Sequence, residues 1–104
     1  MPGPAPEPIT ATPRQRRVLE QIVRRHTSTQ RQVRRARAVL AAADGATNAA
    51  AGRRAGMTED TARTWRQRWA VASAALLAAE VKDEEDDDRA LGQVIRDANI
   101  KIAP

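Results

Sequence analysis

The chain has 104 residues and contains no cysteine, phenylalanine or tyrosine, which suits one small domain and excludes disulfides, thiolate metal sites and thiol nucleophiles. Its 41% of apolar residues include 22 alanines, and no apolar run suits a signal peptide or a membrane span, so we expect a helical cytoplasmic protein with a thin core. The net charge is +10 over residues 14–68 but −5 over residues 80–97, which makes nucleic acid the first partner to test.

The N-terminal part of the chain is marked by prolines and by a helix cap. Residues 1–11 hold four of the six prolines, and this composition predicts a disordered lead-in. Thr12 then suits an N-cap with Pro13 at the first helical position, and the spacing that follows predicts a helix to about His26. The apolar stripe of this helix comprises Val18, Leu19, Ile22 and Val23.

A second helix is predicted from Thr29, which has capping-box spacing to Gln32, to a stop at Gly45. Its apolar stripe comprises Val33, Ala36, Val39, Leu40 and Ala43. An arginine face lies on the opposite side and comprises Arg31, Arg34 and Arg35. This face is either solvated or in contact with phosphate groups, and the sequence leaves both alternatives open.

Two further helices are predicted around a glycine-containing turn. Thr47 can cap a short helix that ends at Gly56, and Thr58 can cap a longer helix that runs to about Glu80. Six apolar positions form a seam along the longer helix, and its tryptophans are expected to pack in the core: Ala62, Trp65, Trp69, Ala72, Leu76 and Ala79. A short helix, a tight turn and a helix with a polar outer face form a helix-turn-helix unit.

An acidic run occupies residues 83–88, and its aspartates could cap a last helix carrying Leu91, Val94, Ile95 and Ala98. Consecutive carboxylates point in different directions, so we expect a solvated segment with no metal site and no cofactor. The sequence as a whole predicts an all-α fold. Residues 12–80 would form a homeodomain-like helix-turn-helix bundle of about four helices, and residues 81–104 an acidic linker with a short helix.

The candidate base-reading residues lie on the outward face of the longer helix. At about 100° per residue, the side opposite Trp65 carries Asp60, Arg63, Thr64 and Gln67. Arg63 suits guanine, Gln67 suits adenine, and Thr64 suits a thymine methyl or a phosphate. Asp60 either accepts from a cytosine amino group or mainly stabilises the helix dipole.

A second set of residues is predicted to contact phosphates and to position the domain without reading sequence. These residues lie on the short helix, at the start of the longer helix and on its flanks. They are Thr47, Asn48, Arg53, Arg54, Thr58, Arg66 and Arg68.

The chain resembles the N-terminal helix-turn-helix domain of bacterial insertion-sequence transposases of the mariner-like superfamily in two runs, VRRHTSTQRQVRRARAVLAAADGATN and GRRAGMTEDTARTWRQRW. The likeness covers about residues 12–80. It implies that the chain binds double-stranded DNA at terminal inverted repeats, in the bacterial nucleoid. In that family a following domain with an Asp-Asp-Glu metal triad cuts DNA. The chain ends at Pro104, so we expect no enzymatic activity and no small-molecule substrate.

The chain departs from that family in the core of the helix-turn-helix unit. Ala51, Ala55 and Ala62 stand where the family usually has bulky aliphatic residues, and Gly52 replaces a usual alanine. A loss of Leu-to-Ala size costs about 2–5 kcal/mol in a tightly packed site. The resemblance therefore predicts a domain of marginal stability.

Two other functions fit the same sequence. A stand-alone helix-turn-helix protein could repress transcription or transposition as a homodimer joined through the seam from Ala62 to Ala79. An arginine-rich RNA-binding or protein-interaction domain would use the same charge, and preference for a specific duplex over single-stranded RNA would exclude it.

The separation of charge predicts that the acidic segment weakens DNA binding. A segment of net −5 tethered beside a body of net +10 competes for the basic face at high effective concentration. Deleting residues 81–104 should tighten binding, and more so at low ionic strength, because salt screens the competition. Anisotropy titrations of the full chain and the truncated chain at two salt concentrations measure the effect. Equal affinities would indicate that the segment is only a linker.

Overall fold

The computed structural model describes residues 8–82, 91–93 and 95. These residues form α1 (Pro13–Arg24), α2 (Gln30–Ala43), α3 (Asn48–Ala55) and α4 (Glu59–Lys82), and residues 91–93 are also helical. No strand occurs in this part of the chain, which confirms the predicted all-α bundle. The acidic run and the predicted core positions Val94 and Ala98 lie outside the described residues.

Capping boxes fix the starts of α1 and α2. The Thr12 hydroxyl accepts from the backbone N–H of Gln15 at 3.1 Å, and the side-chain Oε1 of Gln15 accepts from the backbone N–H of Thr12 at 3.0 Å. Thr29 and Gln32 repeat the same reciprocal pair at 3.1 and 2.9 Å. Each box satisfies two amides that the helix itself leaves without partners. Both predicted caps are therefore confirmed.

The turn between α3 and α4 follows from glycine and threonine chemistry. Gly56 ends α3 with φ of 74°, in the left-handed region that glycine adopts at little cost. The backbone N–H of Met57 donates to the carbonyl oxygen of Gly52 at 2.9 Å. The Thr58 hydroxyl then accepts from the backbone N–H of Thr61 at 3.2 Å, which starts α4 as predicted.

The core is centred on the two tryptophans of α4. Trp69 is 1% exposed and Trp65 is 5% exposed. The indole N–H of Trp69 donates to the carbonyl oxygen of Thr10 at 2.8 Å, so its one polar group is satisfied inside the protein. Around them lie buried side chains of α1 and α2: Val18, Leu19, Ile22, Ala36 and Val39. The prediction that both tryptophans pack in the core is confirmed.

The seam of α4 is covered by the chain itself. Ala62, Leu76 and Ala79 are each at most 5% exposed, like the tryptophans between them, and Ala72 packs against the same core. α2 and α4 each pack against all three other helices of the bundle. The seam is therefore not available to a second copy, and the predicted mode of dimerisation through it is wrong.

Both ends of the described chain contribute to the core. Composition predicts that Ile9 lies in a disordered lead-in, yet its side chain is only 8% exposed. Leu91 and Ile95 are fully buried in the same cluster. Deleting residues 81–104 would therefore remove two core side chains. Asparagine at the aspartates of residues 86–88 tests the acidic segment without this loss.

Small side chains allow α3 to lie close to its neighbours. Ala41, Ala51 and Ala62 form one buried cluster of α2, α3 and α4. A β-carbon at Gly52 would lie 2.7 Å from the carbonyl oxygen of Met57, well inside ordinary contact distance. Gly52 is thus required by the close approach of α3 to the turn, and treating it as a lost alanine was wrong.

We predict that Gly52→Ala destabilises the domain by about 1–3 kcal/mol, because the new methyl group meets backbone that cannot move away freely. Without that clash, alanine would stabilise a helix over glycine by about 1 kcal/mol. Urea unfolding followed by circular dichroism measures the difference. Ala50→Gly in the same helix is the control for helix propensity alone. A higher unfolding midpoint for Gly52→Ala than for the wild-type chain would contradict the prediction and show that the turn moves to accommodate the methyl group.

Candidate functional site

The first turns of α4 present one exposed polar face. Asp60, Arg63, Thr64 and Gln67 are all exposed, on the side of the helix away from the buried Trp65. The structure thus brings together the four predicted base-reading residues. They follow directly after the tight turn, in the first three turns of α4.

Arg63 is held by the two acidic residues of the first turn. Its guanidinium lies 2.7 Å from a carboxylate oxygen of Asp60 and 3.6 Å from one of Glu59. Because these side chains are exposed, such pairs contribute only about 0–1 kcal/mol and are easily exchanged for another acceptor. The hydroxyl of Thr64 donates to the backbone carbonyl of Asp60 at 3.1 Å and keeps its acceptor capacity.

The predicted phosphate contacts on α3 lie at both of its ends. Thr47 caps the helix through the backbone N–H of Ala50 at 3.1 Å, and Asn48 follows with a buried side-chain oxygen that has no hydrogen-bond partner. Arg53 and Arg54 are exposed in the last turn. Amides at the start of α3 and guanidinium groups at its end are both suited to anions.

Thr58 is exposed at the start of α4, where its hydroxyl donates to the Thr61 hydroxyl at 2.9 Å. The Thr58 oxygen also accepts from the Thr61 amide. Its proton is therefore engaged within the helix cap. A phosphate contact by Thr58 would need that hydroxyl to rotate.

Arg66 is not presented as a phosphate contact. The side chain is 4% exposed, and its guanidinium donates to the carbonyl oxygen of Ala46 in the loop between α2 and α3. Burial lowers the pKa of Arg66. The sequence does carry a signal for this position, because residue 66 follows Ala62 by four and precedes Trp69 by three, on the core side of the helix.

A cleft between α2 and α4 was not predicted. It encloses about 480 Å³ and has the ring of Trp65 in its wall. The guanidinium carbon of Arg35 lies 4.1 Å from the centre of this ring, and that of Arg68 lies 4.9 Å from it. Burial lowers the pKa of Arg35, and the positive charges of Arg31 and Arg68 lower it further. The lining comprises Arg31, Arg34, Arg35, Gly56, Met57, Asp60, Thr61, Thr64, Trp65 and Arg68.

Residues 34–79 match the family model of a helix-turn-helix domain. The matched span runs from α2 through the turn into α4 and includes the exposed polar face, and such a domain suggests DNA binding. Comparisons with curated proteins and with solved structures gave no match.

The described residues offer neither a membrane span nor a cluster of metal ligands. Among the described residues, none of the helices is long and apolar enough to cross a bilayer. Residues 8–82, 91–93 and 95 also hold no group of three or more histidine, aspartate or glutamate side chains suited to a metal ion. The polar face of α4 and the arginine cleft beside it are the strongest candidate site in these residues.

We predict that Trp65→Ala unfolds the helix-turn-helix domain rather than weakening DNA binding selectively. Truncating a buried aromatic side chain costs about 3–5 kcal/mol, which is comparable with the whole stability of a small domain. Thermal melting by circular dichroism, beside a DNA titration, separates the two effects. A variant with unchanged melting and lost binding would make Trp65 a contact residue.

Proposed function

We propose that this chain binds double-stranded DNA sequence-specifically, with the start of α4 in the major groove. The observation that carries the proposal is the exposed face of Asp60, Arg63, Thr64 and Gln67 directly after the turn. The groove is about 12 Å wide and an α-helix with its side chains is about 10–12 Å across, so the two fit. The net charge of +10 over residues 14–68 supports the same partner.

The side chains of this face have distinct proposed roles. Arg63 donates two hydrogen bonds to guanine, and Gln67 pairs with adenine. Asp60 holds the Arg63 guanidinium at 2.7 Å in the free protein and so orients it before DNA arrives. This role favours Asp60 as a positioning residue over direct contact with cytosine.

The short helix α3 supplies backbone contacts in this proposal. Its N-terminal amides, after Thr47 and Asn48, face one phosphate, since helix N-termini favour anions. Arg53 and Arg54 at its other end are exposed and reach neighbouring phosphates. These contacts position α4 in the groove and add affinity without sequence preference.

The biological setting we propose is binding to the terminal inverted repeats of a mobile element, as the N-terminal DNA-binding part of a transposase. The resemblance over residues 12–80 supports this setting. The proposed role of these residues is to bind DNA, and this role needs no catalytic group among them. Selection of bound sequences from random duplex DNA tests it. Recovered sites that recur as inverted pairs around a mobile element support the proposal, whereas a single site upstream of the chain's own gene supports a regulator.

We predict that Arg63→Ala weakens binding to the selected site by about 1–3 kcal/mol and has much less effect on unrelated DNA, because the lost contact is to a base edge. Arg54→Ala is the matched control. It should weaken binding to both duplexes alike and reduce the slope of log affinity against log salt by about one unit. Anisotropy titrations over a salt series measure both effects.

Loss of affinity for all duplexes alike in Arg63→Ala would contradict the assignment of α4 to base reading. Replacing Arg63 also removes its ion pairs with Glu59 and Asp60. Thermal melting of the variant, measured beside the titration, shows whether this loss changes stability. Because both pairs are exposed, we expect the melting temperature to change little.

A further inference from the structure

The arginine cleft concentrates positive charge at one place on the surface. The guanidinium groups of Arg35 and Arg68 both lie within 5 Å of the centre of the Trp65 ring, and Arg31 and Arg34 line the same cleft. Like charges repel, and an anion bound among them offsets this repulsion. An arrangement of this kind is stabilised when an anionic group binds.

The neighbouring carboxylate is paired with Arg63 and with none of Arg31, Arg34 and Arg68. Asp60 lines the cleft, but its carboxylate is bound to Arg63 at 2.7 Å. Among the described residues, no carboxylate forms an ion pair with Arg31, Arg34 or Arg68. These three guanidinium groups suit a ligand that carries negative charge and oxygen acceptors.

The tryptophan makes the cluster more than a set of mobile surface charges. Stacking on Trp65 holds the planar guanidinium of Arg35 over an apolar ring, with its guanidinium carbon 4.1 Å from the ring centre. Less side-chain freedom is then lost when an oxygen ligand binds. The site is partly preorganised for an anion before the ligand arrives.

The position of the cleft indicates which anion it receives. Thr61 and Arg68, which line the cleft, lie about a quarter of a turn around α4 from the centre of the base-reading face, at about 100° per residue. A helix in the major groove has base edges in front of it and phosphates along its flanks. The cleft therefore faces the sugar-phosphate backbone when α4 reads bases.

We propose that the cleft between α2 and α4 binds one backbone phosphate of the DNA duplex, with Arg31, Arg35 and Arg68 as its ligands. The arginine face of α2 is then a contact surface and not a solvated one. This inference rests on the proposed function, and it assigns phosphate binding to a helix that precedes the helix-turn-helix unit of α3 and α4.

Arg31→Gln tests the proposal, because Arg31 is exposed and its replacement leaves the core intact. Arg37→Gln is the matched control, since Arg37 is an exposed arginine of the same helix that does not line the cleft. We expect about a tenfold loss of affinity for the selected duplex in Arg31→Gln and no more than about a twofold loss in Arg37→Gln. Arg31→Lys keeps the charge and should recover most of the loss.

A methylphosphonate scan identifies the phosphate itself. Each backbone phosphate of the selected duplex is replaced in turn by a neutral methylphosphonate, and affinity is measured for the wild-type chain, Arg31→Gln and Arg37→Gln. At the contacted phosphate, the methylphosphonate should reduce the affinity of Arg31→Gln less than that of the wild-type chain, because the variant already lacks the contact. Arg37→Gln should show the wild-type loss at that position.

The outcomes separate this inference from the function on which it rests. If the wild-type chain selects no duplex, or binds single-stranded RNA more tightly, the proposed function fails. If it selects a duplex but Arg31→Gln and Arg37→Gln lose affinity equally, or if no methylphosphonate position shows the reduced loss, the cleft is not a phosphate site and only the present inference is overturned.

Discussion

The fold depends on the burial of two indole rings in a chain that has few other large apolar side chains. The sequence offers 2 tryptophans and no phenylalanine or tyrosine, and both tryptophans lie on one face of α4. Alanines on the surrounding helices let these helices come close enough to cover the rings. The thin composition is therefore compatible with a packed core, because small residues surround two large ones.

α4 has two tasks along its 24 residues, and the core determines how they are combined. The buried side, from Ala62 to Ala79, fixes the rotation of the helix. This rotation turns Arg63 and Gln67 outward and places Arg68 beside α2. The same packing that stabilises the fold thus sets the position of every candidate DNA contact on α4 relative to α2 and α3.

Much of this architecture could be predicted from local chemistry. The threonine caps at Thr12, Thr29, Thr47 and Thr58 and the left-handed Gly56 depend on residues within four positions of one another, so the sequence contains the whole interaction. The outward face of α4 could be predicted for the same reason, since helical periodicity relates its residues to the apolar seam.

The remaining features depend on contacts between distant segments. Gly52 is needed because α3 touches the following turn, and no spacing rule indicates how closely the two approach. Helical periodicity predicts Arg66 on the flank of α4, and only the packing of the loop between α2 and α3 against α4 buries it. The cleft joins Arg35 of α2 to Trp65 of α4, and only the packing of the two helices brings these residues together. Ile9 was missed because composition averages over a segment in which one residue is buried.

The near-ultraviolet absorption and the fluorescence of the chain come from its two tryptophans, since it contains no tyrosine or phenylalanine. These two chromophores lie in different environments. Trp65 has two guanidinium groups against its ring, whereas Trp69 is enclosed and bonded to the backbone of Thr10. One chromophore therefore senses the electrostatics of the cleft, and the other senses the attachment of the segment before α1. Native emission can report on both events without an added dye.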